Sequence, residues 1–179
     1  MEVEQWVKDK LNCRREDIER LFKSKTARNF LIVWNIYEIE LFNKYCTLSL
    51  LGDVALRLSL SARVGELQGT IEYFHERYYK DKEKYRHLKN NQRPVEIPDK
   101  VASSPLSECS LEQKIHFLLF VLFRYRNNMF HGNKGLVNWL QYDEQIQSCT
   151  KTMCLIIDMY EKIYALKTVD EHMNKVQNS

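Results

Sequence analysis

The sequence predicts an all-α protein, an antiparallel bundle of four to five long helices with short extra helices. Three observations point there. Apolar residues recur at intervals of three and four along most of the chain, the period of a helix with one buried face. The 179 residues include only five Gly and three Pro, too few for the turn that a β-sandwich or barrel needs roughly every 8–12 residues. Hydrophobic residues make up 44% and charged residues 28%, the balance of a globular chain. At this length a chain buries about 70% of the surface it exposes when unfolded, so residues 1–179 read as a single helical domain.

Taken in order, Val3, Trp6, Val7 and Leu11, then Ile18, Leu21 and Phe22, place one or two amphipathic helices over residues 2–23. Phe30, Val33, Trp34, Tyr37, Leu41 and Tyr45 form the stripe of a long core helix over 26–46. Gly52 and Asp53 look like a stop followed by an N-cap, opening a shorter helix over 54–62. From Gly65 to about Lys89 the pattern is helical again, apolar at first (Leu67, Ile71, Phe74) and highly charged at its end. Residues 90–110 hold Pro94, Pro98 and Pro105 with several Ser, which predicts a loop. Ser110 with Gln113 three residues later is a capping box ahead of the apolar run 115–123, so a helix starts there and runs to about Phe130. Gly132 and Gly135 suit left-handed C-terminal caps. A further helix is expected over 143–166, with a short last one over 169–176.

Composition narrows the function. With 27 Lys and Arg against 24 Asp and Glu, the net charge of +3 permits a nucleic-acid partner without indicating one. Cys13, Cys46, Cys109, Cys149 and Cys154 are an odd, scattered set with no C-x-x-C pair and no His at ligand spacing. They predict a reducing cytosol, no disulfide framework, no metal site and no cofactor. The opening residues lack the apolar core of a signal peptide. The longest apolar run, 117–123, is far below the ~20 residues of a membrane span. The expectation is a soluble cytoplasmic protein with no membrane partner.

Gly-rich phosphate loops and nucleophile elbows are absent from the sequence. What stands out is the polar cluster closing the most apolar helix, residues 123–133, which gathers Arg124, Arg126, Asn127, Asn128, His131 and Asn133. On a straight helix Arg126 and His131 point about 140° apart. A helix ending near Phe130 frees His131 to swing toward Arg126, and the C-terminal dipole there favours the protonated imidazole. An Arg and a His without a metal suit RNA transesterification. The 2′-hydroxyl must lose a proton, the leaving 5′-oxygen must gain one, and the phosphorane between them needs a fixed cation. One imidazole cannot take both proton roles in one step, so a homodimer that doubles the pair across a twofold axis answers the need.

Arg126-Asn127-x-x-x-His131-Gly132, at the end of a long apolar helix in an all-α chain, resembles the Arg-x4-6-His signature of the HEPN superfamily. That resemblance implies a dimeric helical bundle acting as a metal-independent endoribonuclease in prokaryotic toxin–antitoxin, stress or antiphage systems, with an inhibitory antitoxin or regulatory protein as a further partner. It implies Arg126 and His131 as the catalytic pair and Asn127 as the polar residue beside the Arg. Arg124 offers a second register with six intervening residues. Glu38, four past Trp34, corresponds to an acidic residue that an earlier helix of the family often places near the site. Asn133 departs from the family's pattern, standing where members silenced by nucleotidyl transfer carry a Tyr.

Plainer alternatives accompany these. The 126–131 turn can equally be a solvated helix end whose polar side chains cap carbonyls, leaving a non-catalytic bundle that binds a nucleotide or a partner protein. Tyr79, Lys80, Lys82, Lys84 and Arg86 interleave aromatic rings with cations, a pattern able to stack bases and track phosphates. Asp81 and Glu83 interrupt it, as on an ordinary solvated helix face. His116 reads as a core or half-buried histidine, and His75, His87 and His172 as surface residues.

Overall fold

A computed structural model of the chain describes residues 2–11, 14–90, 92–130 and 140–177, and the described residues form an all-α bundle. In chain order the helices are α1 (Val3–Leu11), α2 (Arg15–Lys23), α3 (Lys25–Phe42), α4 (Leu51–Ser59), α5 (Gln68–Tyr79), α6 (Lys82–Lys89), α7 (Glu96–Ser103), α8 (Leu111–Phe130) and α9 (Asp143–Gln177), with short 3-10 turns at Leu48–Leu50, Val64–Leu67 and Leu106–Glu108.

Helix α8 is the axis of the fold. Ile115 and the run from Phe117 to Leu122 are wholly buried, and a helix apolar on every side must be enclosed by others. Helices α4, α7, α5 and α6 pack around it, while α3 lies along α9. The expected capping box starts α8: Ser110 Oγ accepts from the Gln113 amide at 3.2 Å and Gln113 Oε1 accepts from the Ser110 amide at 3.1 Å. These two reciprocal bonds satisfy donors that a helix start otherwise leaves open.

Several expected boundaries are corrected. The helix expected over 65–89 is two helices, because Asp81 leaves the helical region (φ −132°, ψ 91°) and its carboxylate accepts the Lys84 amide at 3.0 Å, capping α6. The expected loop at 90–110 contains α7. Pro98 sits in its first turn, where a missing N–H costs nothing, and Pro98, Val101 and Ala102 are buried in the core. Asp99 ties the helix down, accepting from the Tyr85 hydroxyl at 2.8 Å, Lys89 Nζ at 2.7 Å and the Val95 amide at 3.1 Å. Gly52 and Asp53 belong to the first turn of α4, which runs from Leu51 to Ser59 instead of starting after them. One helix, α9, replaces the expected pair after residue 143.

Among the described residues no helix is long and apolar enough to cross a membrane.

Candidate functional site

The polar cluster ending α8 divides between two faces. Residues 124 and 128 share one side of a helix, and 126 lies about 160–200° round from both. Arg124 is 6% exposed and points at the end of α6: Nε donates to the Leu88 carbonyl at 3.2 Å and Nη2 to the Lys89 carbonyl at 2.6 Å, with weaker approaches to Gln92 and Asn128. Asn128 Nδ2 donates to the Leu88 carbonyl at 2.9 Å. Both carbonyls belong to the last turn of α6, where the helix itself supplies no amide partner; that of Lys89 also accepts the Gln92 amide at 3.0 Å. Burial alone pulls the Arg124 pKa below its ordinary value. The second register therefore starts from an arginine already committed to holding α6 onto α8.

Arg126 faces the other way. Half-buried, it holds its guanidinium carbon 5.7 Å from the centre of the Trp34 ring, and Nη1 donates to Asn127 Oδ1 at 3.0 Å. The ring is itself fixed. Trp34 Nε1 donates to Glu38 Oε2 at 3.1 Å, one turn on along α3, and Glu38 Oε1 accepts the Cys46 amide at 3.0 Å. That second bond secures the chain where it leaves α3 through two left-handed residues, Asn43 (φ 49°) and Lys44 (φ 79°). Tyr37 stacks at a tilt on Trp34, ring centres 5.4 Å apart. A rigid aromatic platform thus carries the cation, and a carboxylate that is hydrogen-bonded through both oxygens braces the platform.

Arg126, Asn127, Trp34 and Glu38 thus come together; the first, second and last are candidate site residues of the sequence analysis, and Trp34, the platform, is not. The sequence signal for it was available, since an indole at 34 and a carboxylate at 38 are one helical turn apart. Cys46 borders the same group. Burial, reinforced by the Glu38 charge and opposed by that of Arg126, pushes its thiol up to about 12, so it stays protonated and unreactive at neutral pH. His131, with Gly132, Asn133 and Gly135, lies outside the described residues, as does the side chain of His172.

The basic and aromatic stretch is paired within itself. Lys80 bonds Glu76, Lys84 bonds Asp81 at 3.0 Å, and Arg86 bonds Glu83 at 2.7 Å. Lys82 donates to the Ala102 carbonyl at 2.7 Å and stands 4.8 Å from the centre of the Tyr79 ring. The break at Asp81 further separates Tyr79, at the end of α5, from Lys82, Lys84 and Arg86 on α6, with Lys80 between the two helices. His75, expected at the surface, is 7% exposed, with Nε2 at 2.9 Å from the Ser104 carbonyl and its ring stacked on Tyr79. His116 is half-buried as expected, with neither ring nitrogen meeting a hydrogen-bond partner.

No protein-family model, no curated protein and no solved structure matches this chain.

Proposed function

We propose that the chain is a metal-independent endoribonuclease of the HEPN type, acting through Arg126 and His131 with Asn127 in support. The observation carrying this is the arginine itself. It is a half-buried guanidinium stacked on a braced indole and oriented by its neighbouring Asn, near the C-terminal end of the most buried helix. A cation held this way pays little reorganisation when negative charge develops beside it. In the reaction the 2′-oxygen attacks phosphorus and the bond to the 5′-oxygen breaks. One imidazole takes the 2′-hydroxyl proton and a second delivers a proton to the leaving 5′-oxygen. The products are a cyclic 2′,3′-phosphate and a 5′-hydroxyl. Two copies of His131 across a homodimer supply both proton roles, and the setting is a cytoplasmic stress or antiphage system restrained by an inhibitory protein.

The test is cleavage of single-stranded RNA in EDTA, with end-group analysis. Cyclic phosphate ends are expected, with turnover falling about 10²–10³-fold in Arg126→Gln and about 10²–10⁴-fold in His131→Ala at unchanged thermal midpoints. Absence of cleavage by the intact chain, or variants as active as the parent, refutes the proposal.

A second reading is favoured by the outer face of α3. Ile32, Ile36 and Ile39 are 55%, 45% and 45% exposed, and Arg28 and Glu40 are exposed on the same side. In an antiparallel twofold pairing of two α3 helices about the level of Trp34, each residue meets the one equally far on the other side of that level. Ile32 then packs on Ile36 of the copy and Arg28 reaches its Glu40, apolar centre and charged ends both complementary. Trp34 points inward, so this packing leaves the two Arg126 side chains at least two helix diameters apart, roughly 20 Å. It suits a helical module that works by protein contact. Monomers from Arg28→Glu and from Glu40→Arg, with the dimer restored in the double variant, would support it over the composite nuclease site. A dimer indifferent to all three would dismiss it.

A further inference from the structure

The bend at Asp81 swings α6 away from the line of α5, and the opening faces the C-terminal half of α8. A cleft of about 100 Å³ lies there, closed on its far side by Tyr142, just before α9, and Ile146 in the first turn of α9. Its floor is Tyr78, Leu88, Tyr125 and Met129, and its polar wall is Arg77, Lys84 and His87. Among the described residues no Asp or Glu lines it. Asn128 also borders it, but that amide is spent on Leu88 and Arg124. Tyr78 and Tyr125 join their hydroxyls at 3.1 Å, which fixes the floor.

Arg77 is the unusual member. It is half-buried, and its Nε is sealed from solvent without a hydrogen-bond acceptor. Its neighbours are the phenols of Tyr73, Tyr78 and Tyr125, with the guanidinium carbon 6.0 Å from the Tyr78 ring centre. Among the described residues no carboxylate pairs with it. A guanidinium keeps its charge at any pH a protein survives. Partly withdrawing it from water against phenols alone, with one N–H left unmet, is costly unless an anion arrives. Lys84 bonds Asp81 through one donor and carries others to spare. His87 is exposed at the rim.

We infer that this cleft is an anion site that takes a phosphate group, with Arg77 as its inner ligand and Lys84 and His87 closing over it from α6. A tetrahedral phosphate offers oxygens in several directions and up to two negative charges, which suits a guanidinium, an ammonium and an imidazole arrayed along one wall. A carboxylate would be satisfied by the guanidinium alone. The volume admits one phosphate and leaves the carrier, if there is one, outside the cleft. The site is independent of the nuclease proposal, since Arg126 faces α3 on another side of α8.

The test is calorimetric titration of the full chain with inorganic phosphate and, separately, with phenyl phosphate, using acetate as the control anion. Saturable binding of phosphate groups is expected, with acetate binding at least about tenfold more weakly. If only phenyl phosphate binds, the ligand is a phosphomonoester; if both bind, the phosphate group is itself sufficient. Arg77→Gln should abolish binding. Lys84→Gln and His87→Gln, both at exposed positions that leave folding unaffected, should each weaken it several-fold. No saturable binding of either phosphate at millimolar concentration overturns the inference, as does binding unchanged in Lys84→Gln and His87→Gln together.

Discussion

Replacing the two arginines of the α8 end separates what holds the fold from what the proposed chemistry needs. Arg124→Met keeps the aliphatic stem and removes the guanidinium from a site only 6% exposed. Two well-formed bonds disappear, to the Leu88 carbonyl at 3.2 Å and the Lys89 carbonyl at 2.6 Å. Each carbonyl keeps another donor, Asn128 Nδ2 at 2.9 Å on Leu88 and the Gln92 amide at 3.0 Å on Lys89. The full penalty of an orphaned acceptor therefore does not apply. What is lost is the net value of two bonds from a charged donor, about 1.5–3 kcal/mol each, reduced because a buried charge no longer needs desolvating. A cost of about 3 kcal/mol results, and for a chain of this size a thermal midpoint lower by roughly 6–12 °C. Arg126→Gln loses a cation–π contact and a bond to Asn127, together about 1–2 kcal/mol. Urea unfolding followed by circular dichroism reads both. RNA turnover, normalised to the folded fraction, should show the reverse order, nearly intact for Arg124→Met and lost for Arg126→Gln. If Arg124→Met proves no more destabilising than Arg126→Gln, the division of the cluster into two faces is wrong.

Other expectations concern different parts of the molecule. Burial lowers the His116 pKa below its ordinary value of 6.5, against a weaker opposing pull from Glu112. The unfolded chain therefore binds the proton first, and stability present above 6.5 declines as pH falls through that value; in His116→Gln the urea midpoint should fall less between pH 7.5 and 5.5 than in the parent. Asp99→Ala frees the Tyr85 hydroxyl, the Val95 amide and the ammonium of Lys89 at once, which should cost about 2–4 kcal/mol and speed amide exchange across α7 first. Iodoacetamide at pH 8, read by peptide mass mapping, should modify the exposed Cys154 well before the half-buried Cys46 or the buried Cys149, although burial raises the pKa of all three.

The helical class and most of the elements were legible because apolar period and capping chemistry are local. Ser110 and Gln113 specify the start of α8 within four residues, and the structure uses the bonds they suggest. Misreadings arose where a short helix depends on distant partners. Three prolines and several serines across 90–110 outweigh the modest propensity of the segment Glu96–Ser103, which becomes a helix because Val101 and Ala102 have α8 to pack on and Asp99 has Tyr85 and Lys89 to bind. His75 was misjudged for the same reason, since the carbonyl that covers it belongs to Ser104, just past α7. The break at Asp81 was readable in principle from a capping residue inside a charged run, but the alternating charges of Lys80, Lys82, Glu83 and Lys84 around it look like an ordinary solvated helix face and mask such a signal. At α9 the polar stretch after residue 166 suggested a stop, yet it holds neither Gly nor Pro, and the helix continues.

The candidate site was legible in part, and the division follows from how helices display side chains. A motif written along the sequence records spacing only, so Arg124 and Arg126 look interchangeable as starting points. A rotation of about 200° between them sends one to the C-terminus of α6 and the other to Trp34. No count of intervening residues could decide that; it depends on which neighbouring helix ends short of carbonyl partners and which presents an aromatic face. Glu38 illustrates the same point from the other side. Its likeness to an acidic residue near the site suggests a group acting on substrate, but both its oxygens are engaged, one by the indole and one by the Cys46 amide. Its contribution to Arg126 is therefore exerted through Trp34, as a positioning residue. Glu38→Gln, which keeps an acceptor for the indole and loses the charge, should accordingly preserve most of the RNA turnover that Glu38→Ala forfeits.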